Sequence, residues 1–389
     1  AAGVQRPMQT SLDLKSATAP SPLPLLTDPR APSAPTWFHR VADAVALRWL
    51  NDPRDVILTR PLAEVFVFVL PFTIALFLVP TWALVVMGPL YLAHVFANYA
   101  GRIVLGLHAV THRPLFRRKV RWADRIWTHV MPVFVGMPPF AYYAHHRMMH
   151  HRENVSESDL SGTAEYRRDS PLHFVHYWIR FAIFGYFHLT SWLMRRGHRG
   201  VAVRILAWSA LFYGVVGIGL WFAFWPTLIS FVIPYLLLRF FLMAGNWSEH
   251  AFVDVQDPTN NYRNSTCLMN TGYNHRAYNA GYHLVHHIVP GLHWAEHPAY
   301  VEDHLSDFAD NDAILFDGVS SNQQIWWMLM TGNYEFLASK LVDVGSRRPE
   351  LADKVAFLQS RVRGQRGVRK GMLERREAAV GVPAGPGIG

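Results

Sequence analysis

Ten of the 21 histidines in this chain fall into four short clusters, and each cluster lies beside an apolar stretch. Most neighbours within a cluster are three or four residues apart, which places their rings on one face of a helix. Neutral imidazole is the side chain that suits Zn, Cu, Fe and Ni. A single ion does not need so many ligands, whereas two ions that share a pocket do. The clusters therefore predict a centre of two metal ions, drawn from His108, His112, His145, His146, His150, His151, His250, His283, His286 and His287.

Four apolar segments predict the helices that must position these clusters. A helix needs roughly 20 apolar residues to cross the hydrocarbon core of a membrane. The segments form two pairs, and each pair is joined by a short turn that contains proline and tryptophan. We interpret each pair as a transmembrane hairpin. The predicted spans are 62–79, 82–107, 202–224 and 228–246.

Basic residues flank the ends of the spans that lie next to the histidines. The positive-inside rule places such ends in the cytoplasm. Each hairpin crosses the membrane and returns to the side where it began. Both termini and every histidine cluster are therefore expected on the cytoplasmic side. The flanking residues are Arg113, Arg117, Arg118, Lys119, Arg121, Arg195, Arg196, Arg199 and Arg204.

The composition excludes several classes of protein. Hydrophobic residues make up 51% of the 389 residues and charged residues only 17%, which is too apolar for an ordinary soluble domain. The formal charge of +9 comes from residues that flank apolar segments, and no nucleic-acid motif is present, so no nucleic-acid partner is expected. A single cysteine, Cys267, excludes a disulfide framework and a cysteine-ligated iron–sulfur cluster.

The predicted fold is all-α, with four transmembrane helices capped by a cytoplasmic helical domain that holds the dimetal site. A disordered tail at 1–35 precedes a membrane domain at 36–345, and a charged helix and tail follow at 346–389. An amphipathic helix at the membrane surface is expected at 37–60. Two further apolar but interrupted segments are expected as embedded or interfacial helices at 123–144 and 171–194.

The clusters together resemble the histidine boxes of the integral-membrane fatty acid desaturase and hydroxylase superfamily, over roughly residues 60 to 300. His108-xxx-His112 resembles the first box. His146-xxx-His150-His151 resembles the second, with the three-residue gap of membrane alkane hydroxylases. Asn246-xxx-His250 is similar to a stearoyl-CoA desaturase element in which histidine binds iron and asparagine holds a metal-bound water. The segment from Asn279 to His287 is similar to the third box of sphingolipid desaturases.

The resemblance implies two non-haem irons and O₂, which together oxidise an unactivated C–H bond in a long acyl or alkyl chain. Fatty acyl desaturation is the first expectation, and hydroxylation or oxidative decarboxylation of a fatty acid or alkane by the same centre is the alternative. Electrons must come from an external ferredoxin, rubredoxin or cytochrome b5 type donor with its reductase. The implied metal site consists of His108, His112, His146, His150, His151, Asn246, His250, His283, His286 and His287.

Two questions have more than one answer at this stage: the class of protein, and the role of the basic residues. A histidine-rich metal transporter would also carry such clusters, but its ligands are expected near the bilayer midplane, not at helix ends. The basic residues can dock an acidic electron donor, although the positive-inside topology explains the same charges.

Several polar residues have two interpretations each. His94 and Asn98 share a helix face with the first box, and either line a substrate tunnel or bond a neighbouring helix. Arg239 interrupts the fourth span and either binds an acidic headgroup or a carboxylate, or extends to the interface. We prefer His146 to His145 as a ligand because His146 is in phase with His150.

Other polar residues near the boxes are expected behind or beside the ligands. His293 and His297 have ligand spacing but lie beyond the third box. Glu153, Asp159 and Glu249 can accept ring N–H bonds from ligand histidines, or are ordinary solvated carboxylates.

Overall fold

Four long apolar helices dominate the computed structural model, which describes residues 23–153, 159–257 and 260–364. We call them spans 1 to 4: Pro53–Leu78, Thr81–His112, Arg199–Phe222 and Phe224–Glu249. Only 22–39% of the most apolar window of each span is buried inside the protein. Large apolar side chains such as Leu78 and Trp221 lie open at the far turns. Such a surface needs lipid around it, so the four helices fit a membrane protein.

The observed spans extend beyond the predicted apolar segments on the histidine side. Span 1 begins at Pro53, where Asp52 accepts a hydrogen bond from the backbone N–H of Arg54 and proline takes the first turn. The predicted amphipathic helix at 37–60 is therefore two helices, Trp37–Ala46 and the start of span 1. Spans 2 and 4 likewise continue to His112 and Glu249, which carries the helical geometry into the histidine clusters.

The remaining helices lie between and after the two hairpins. Pro171–Arg195 is a single helix of 25 residues, so the interrupted segment at 171–194 is helical throughout. The segment at 123–144 is instead divided into short helices, Ile126–Val130, Met131–Val135 and Ala141–Tyr143. The other helices are a π-helical stretch at Ala144–His150, His151–Glu153, Gly272–Arg276, His283–Ile288, His297–Asp303, Leu305–Asp310, Asn322–Met330, Tyr334–Lys340 and Leu351–Arg361.

A three-stranded sheet interrupts the predicted all-α fold. Strand β1 (Thr266–Met269) is parallel to β2 (Ile314–Asp317), and β2 is antiparallel to β3 (Leu341–Val342). Apolar runs of this length do not distinguish strand from buried helix by periodicity, which is why the sequence did not predict them. The sheet supports the last histidine cluster, because Leu284 and Val285 pack into one core with its buried residues.

The chain before span 1 is tied to this part of the protein. Residues 23–36 contain no helix or strand, yet Asp28 is buried. Its carboxylate accepts hydrogen bonds from the backbone N–H of Asn270 at 2.7 Å and from the hydroxyl of Tyr282 at 2.7 Å. The described part of the predicted tail is thus anchored next to His283. The predicted tail at 1–22 and the end of the charged C-terminal segment at 365–389 lie outside the described residues.

Candidate metal centre

Nine histidines from four separate parts of the chain converge into two adjacent groups. Within each group one ring nitrogen per histidine lies within 4.8 Å of every other. The groups touch, since the rings of His151 and His287 stack with their centroids 4.9 Å apart. The first group is His108, His112, His146, His151 and His286, and the second is His150, His250, His283 and His287.

The nitrogen spacing in the first group suits ligands around a central cation. The Nε2 atoms of His108 and His286 are 2.7 Å apart, and those of His146 and His112 are 2.9 Å apart. The Nε2 atom of His151 is 3.0 Å from that of His146. A neutral imidazole has one N–H, so five nitrogens facing one another cannot all be paired by hydrogen bonds. Imidazole nitrogens about 2.0–2.1 Å from an ion lie at such mutual distances.

The second group has the same character with four histidines. The Nε2 atom of His283 is 3.2 Å from that of His250 and 3.0 Å from that of His287. All four side chains are buried. The donor set therefore fits two metal ions, with five nitrogens on one side and four on the other.

A π-helical stretch decides how the second cluster is divided between the groups. In a regular α-helix, His146 and His150 would share a face, as their spacing predicts. Ala144–His150 is wound more widely, so His146 joins His151 in the first group while His150 turns toward the second. π-Helical turns are rare and are frequent at functional sites. One short helix thereby serves both groups.

The last cluster also serves both groups, through ordinary α-helical geometry. In His283–Ile288, His283 and His287 are one turn apart and enter the second group, while His286 enters the first. Leu284 and Val285 occupy the opposite face and pack against the sheet. The helix is therefore fixed on its apolar face and presents its histidines on the other.

Hydrogen bonds behind the rings set which nitrogen is available. The Nδ1 atom of His150 is 2.7 Å from an oxygen of Asp159, and the Nδ1 atom of His250 is 2.7 Å from the carbonyl oxygen of Asn264. These acceptors hold the ring proton on Nδ1, so the Nε2 lone pair faces the group. Asp159 thus occupies the position that was expected behind a ligand.

Burial favours the neutral form of several of these rings. Burial and the neighbouring histidines lower the pKa values of His146, His283, His286 and His287 well below the usual range. Burial lowers the pKa of His250 to about 4. Neutral imidazole is the form that binds a metal ion.

A cavity of about 390 Å³ lies directly beside both groups. Histidines, Asn246 and Glu249 form one end of it, and its other walls are mainly apolar, including Phe96, Val104, Phe241 and Leu242. A space of this size and lining can hold part of a hydrocarbon chain next to the ring nitrogens.

The family comparison gives a direct match. The family model for fatty acid desaturases matches residues 80–318, which include all nine histidines and more than half of the chain. The chain belongs to the fatty acid desaturase family. Neither the curated proteins nor the solved structures contain a significant match to the chain. Family membership makes the protein a membrane oxidoreductase of lipid chains in general terms, as the resemblance of the histidine clusters predicts.

Asn246 and Glu249 line the cavity of this desaturase-family protein at its histidine end. The amide nitrogen of Asn246 donates to the carbonyl oxygen of Ser161 and to the hydroxyl of Tyr177, each at 2.8 Å. The side-chain oxygen of Asn246 is then the atom left to act as an acceptor. Glu249 accepts a hydrogen bond from Asn322 at 2.7 Å, and its other oxygen is 3.5 Å from Nε2 of His283.

The remaining predicted residues lie outside the two histidine groups. His145 is outside both groups, and its buried Nε2 has no hydrogen-bond partner among the described residues. Asn98 is exposed and donates to the carbonyl oxygen of His94 on its own helix, and neither residue lines the cavity. Arg239 is buried among aromatic rings instead of reaching an interface.

Two further histidines and one carboxylate support the surroundings of the groups. His293 is buried, and its Nε2 lies 3.0 Å from a carboxylate oxygen of Asp55. His297 is buried with its Nδ1 3.4 Å from the carbonyl oxygen of Asn279. Glu153 forms an ion pair with Arg196 at 2.7 Å.

Sequence reasoning missed Ser161, Tyr177, Asn264 and Asn322, which hold site residues in place. Each contacts a site residue at least 14 residues away along the chain and belongs to no box. Ser161 lies two residues after Asp159, so its nearness to the second cluster was a usable signal. Tyr177, Asn264 and Asn322 had no comparable signal in the sequence.

Proposed function

We propose that the protein is a membrane diiron oxidase that uses O₂ and external electrons to oxidise C–H bonds of a long acyl or alkyl chain. Fatty acyl desaturation is the reaction we favour. The observation that carries the proposal is the convergence of nine histidine nitrogens at the end of an apolar cavity. Hydroxylation or oxidative decarboxylation by the same centre is the alternative, since all three begin by breaking a C–H bond.

The chain's own residues have three tasks in this proposal. The neutral Nε2 atoms of the two groups, with Asn246, hold two irons, and the bound irons supply O₂ activation. Asp159 and the carbonyl of Asn264 keep His150 and His250 oriented. The apolar walls exclude water and align one stretch of the chain beside the nitrogens. A transporter fits less well, because the groups lie at the ends of spans 2 and 4.

Electrons reach the site from an external donor of the ferredoxin, rubredoxin or cytochrome b5 type in this proposal. The charge distribution supports this, since Arg118, Lys119 and Arg121 are exposed just beyond span 2. A basic surface favours encounter with an acidic donor. By the positive-inside rule this face, with the histidine groups and both termini, lies in the cytoplasm.

Lipid profiling tests the reaction. The full chain is expressed together with a reductase system, and cellular lipids are analysed by mass spectrometry. Loss of two hydrogens indicates desaturation, and gain of one oxygen indicates hydroxylation. An unchanged lipid profile with a reductase of demonstrated activity and an iron-loaded protein would contradict the oxidase proposal.

Ligand variants test the metal site separately. His112→Ala, His151→Ala and His287→Ala are each expected to abolish turnover while the protein still inserts into the membrane. The matched control is His188→Ala, a half-buried histidine outside both groups. Purified wild-type protein is expected to carry about two irons per chain. Stoichiometric zinc without iron, after expression with iron available, would contradict the diiron assignment.

A further inference from the structure

A small second cavity, which we call the side lobe, adjoins the cavity beside the histidines. The main cavity and the lobe share walls formed by Tyr142, His145, Phe181, Leu238 and Leu242. The lobe has a volume of about 50 Å³. One water molecule needs roughly 10–15 Å³ of such space, so the lobe has room for about three or four non-hydrogen atoms. It can therefore accept a small group at the end of a chain, but not a bulky headgroup.

A buried cation forms one wall of the lobe. Arg239 is 6% exposed, and its guanidinium carbon lies 4.4 Å from the ring centre of Tyr235 and 4.7 Å from that of Tyr186. One guanidinium nitrogen donates to the carbonyl oxygen of Phe181 at 3.2 Å. Across residues 23–153, 159–257 and 260–364, no carboxylate forms an ion pair with it. A buried charge is costly without an ionic partner, so the lobe favours an anion.

A second polar side chain lines the same space. His145 lines both the lobe and the main cavity, and its Nε2 is buried with no hydrogen-bond partner in the described chain. Buried polar atoms in folded proteins are nearly always hydrogen-bonded, to protein, water or ligand. Arg239 and His145 thus provide a charged donor and a second hydrogen-bonding group on one small lobe.

We propose that this lobe binds the free carboxylate of a long-chain fatty acid whose hydrocarbon chain extends through the main cavity toward the histidines. A carboxylate has three non-hydrogen atoms, which matches the room available, and it pairs with a guanidinium through two parallel hydrogen bonds. Arg239 lies ten residues before Glu249 on span 4, roughly 15 Å along the helix. The acid group is bound between Arg239 and His145, whose ring centre is 6.3 Å from that of His150, and carbons further along the chain lie beside the grouped histidines. The proposal deepens the oxidase function and rests on it for the identity of the cavity's occupant.

Direct binding measurements test the site without turnover. Radiolabelled palmitic acid and methyl palmitate are bound to the purified, metal-loaded full chain in lipid nanodiscs. Wild-type protein is expected to prefer the acid, and Arg239→Gln is expected to reduce that preference by about ten- to a hundredfold. Arg204→Gln is the matched control, because Arg204 also lies on a span and over an aromatic ring but does not line the lobe.

A second variant keeps the charge and fills the space. A Cβ atom added at Gly185 would lie 3.8 Å from the ring of Phe181 and 3.9 Å from Nη1 of Arg239, which is ordinary contact, and a longer side chain would extend from there into the lobe. Gly185→Leu is therefore expected to insert, to occupy the lobe and to lose the acid preference although Arg239 is intact. Leucine also favours a helix more than glycine does, so a folding defect is not expected.

The outcomes separate this proposal from the proposed function. Equal binding of acid and ester by wild-type protein, binding of neither, or an unchanged preference in both Arg239→Gln and Gly185→Leu would overturn the carboxylate site. Lipid oxidation by the same wild-type preparation would then leave the oxidase function standing. A clear acid preference that both variants remove, in a protein that oxidises no lipid, would support the site and contradict the oxidase function instead.

Discussion

Replacing Asp159 by asparagine tests whether the residues behind the histidines control metal binding. The carboxylate of Asp159 accepts hydrogen bonds on both oxygens. One oxygen is 2.7 Å from Nδ1 of His150, and the other accepts from the backbone N–H of Ser161 at 2.9 Å and from its hydroxyl at 2.8 Å. An amide has only one acceptor oxygen. Asp159→Asn therefore turns an NH₂ group toward a ring N–H or toward a backbone N–H.

The size of the effect follows from that geometry. Asp159 and His150 are both buried, so water cannot replace the lost partner, and only the longer contact to the hydroxyl oxygen of Ser161, at 3.2 Å, remains to the ring nitrogen. A buried donor left without an acceptor costs about 1–3 kcal/mol. In the apo protein the ring of His150 can tilt away from the NH₂ group of the new asparagine. In the metal complex the ring is held in place, so the energy is lost from the metal complex and not from the apo protein. Iron affinity is then expected to fall about 10- to 100-fold, in line with other partners of metal-bound histidines.

Competition with a graded series of iron chelators measures this affinity in purified protein. Asp169→Asn is the control, because Asp169 also accepts on both oxygens, from Arg167 and Tyr334, but contacts no grouped histidine in the described chain. The control is expected to bind iron as the wild type does. Wild-type iron affinity in Asp159→Asn would refute the reasoning. A loss of equal size in both variants would assign the effect to general destabilisation.

Four further substitutions have clear expected results. His146→Ala should remove iron from the first group, whereas His145→Ala should leave the iron content near normal. Metal analysis of the two purified variants measures this. The reverse order would show that His145 is the ligand. Gly281→Ala should lower thermal stability by about 1–3 kcal/mol, because the added carbon would lie 2.4 Å from the side-chain oxygen of Asn274, and unchanged thermal unfolding would contradict this. Tyr177→Phe removes the hydroxyl that accepts from Asn246 and should slow turnover more than it lowers iron content, which paired activity and metal assays can detect.

The sequence by itself determined the four spans, the histidine clusters and the family. Each is a local signal: a membrane span is a continuous apolar run, and a box is a spacing within one or two helical turns. His108 and His112 illustrate this, because a four-residue spacing on a regular helix brings both rings into one group. The family match over residues 80–318 covers all of these histidine clusters.

Only the tertiary structure decided how the nine histidines divide into two groups. His146 and His150 both lie in a π-helical stretch, which turns them toward different groups and which their spacing does not reveal. His250 meets His283 across 33 residues, and His108 meets His286 across 178, contacts that depend on how the helices pack. The short sheet that supports His283–Ile288 was also hidden, because four-residue apolar runs carry no distinctive period.

The same distinction applies to Arg239. Its position within an apolar span was visible in the sequence, and so was its phase with Asn246 and His250. Whether its side chain reaches an interface or a cavity depends on the neighbouring helix, Pro171–Arg195, which supplies the carbonyl of Phe181 and the ring of Tyr186. Burial and pairing of a charge are properties of the space between elements, and a linear sequence does not specify that space until the elements are packed.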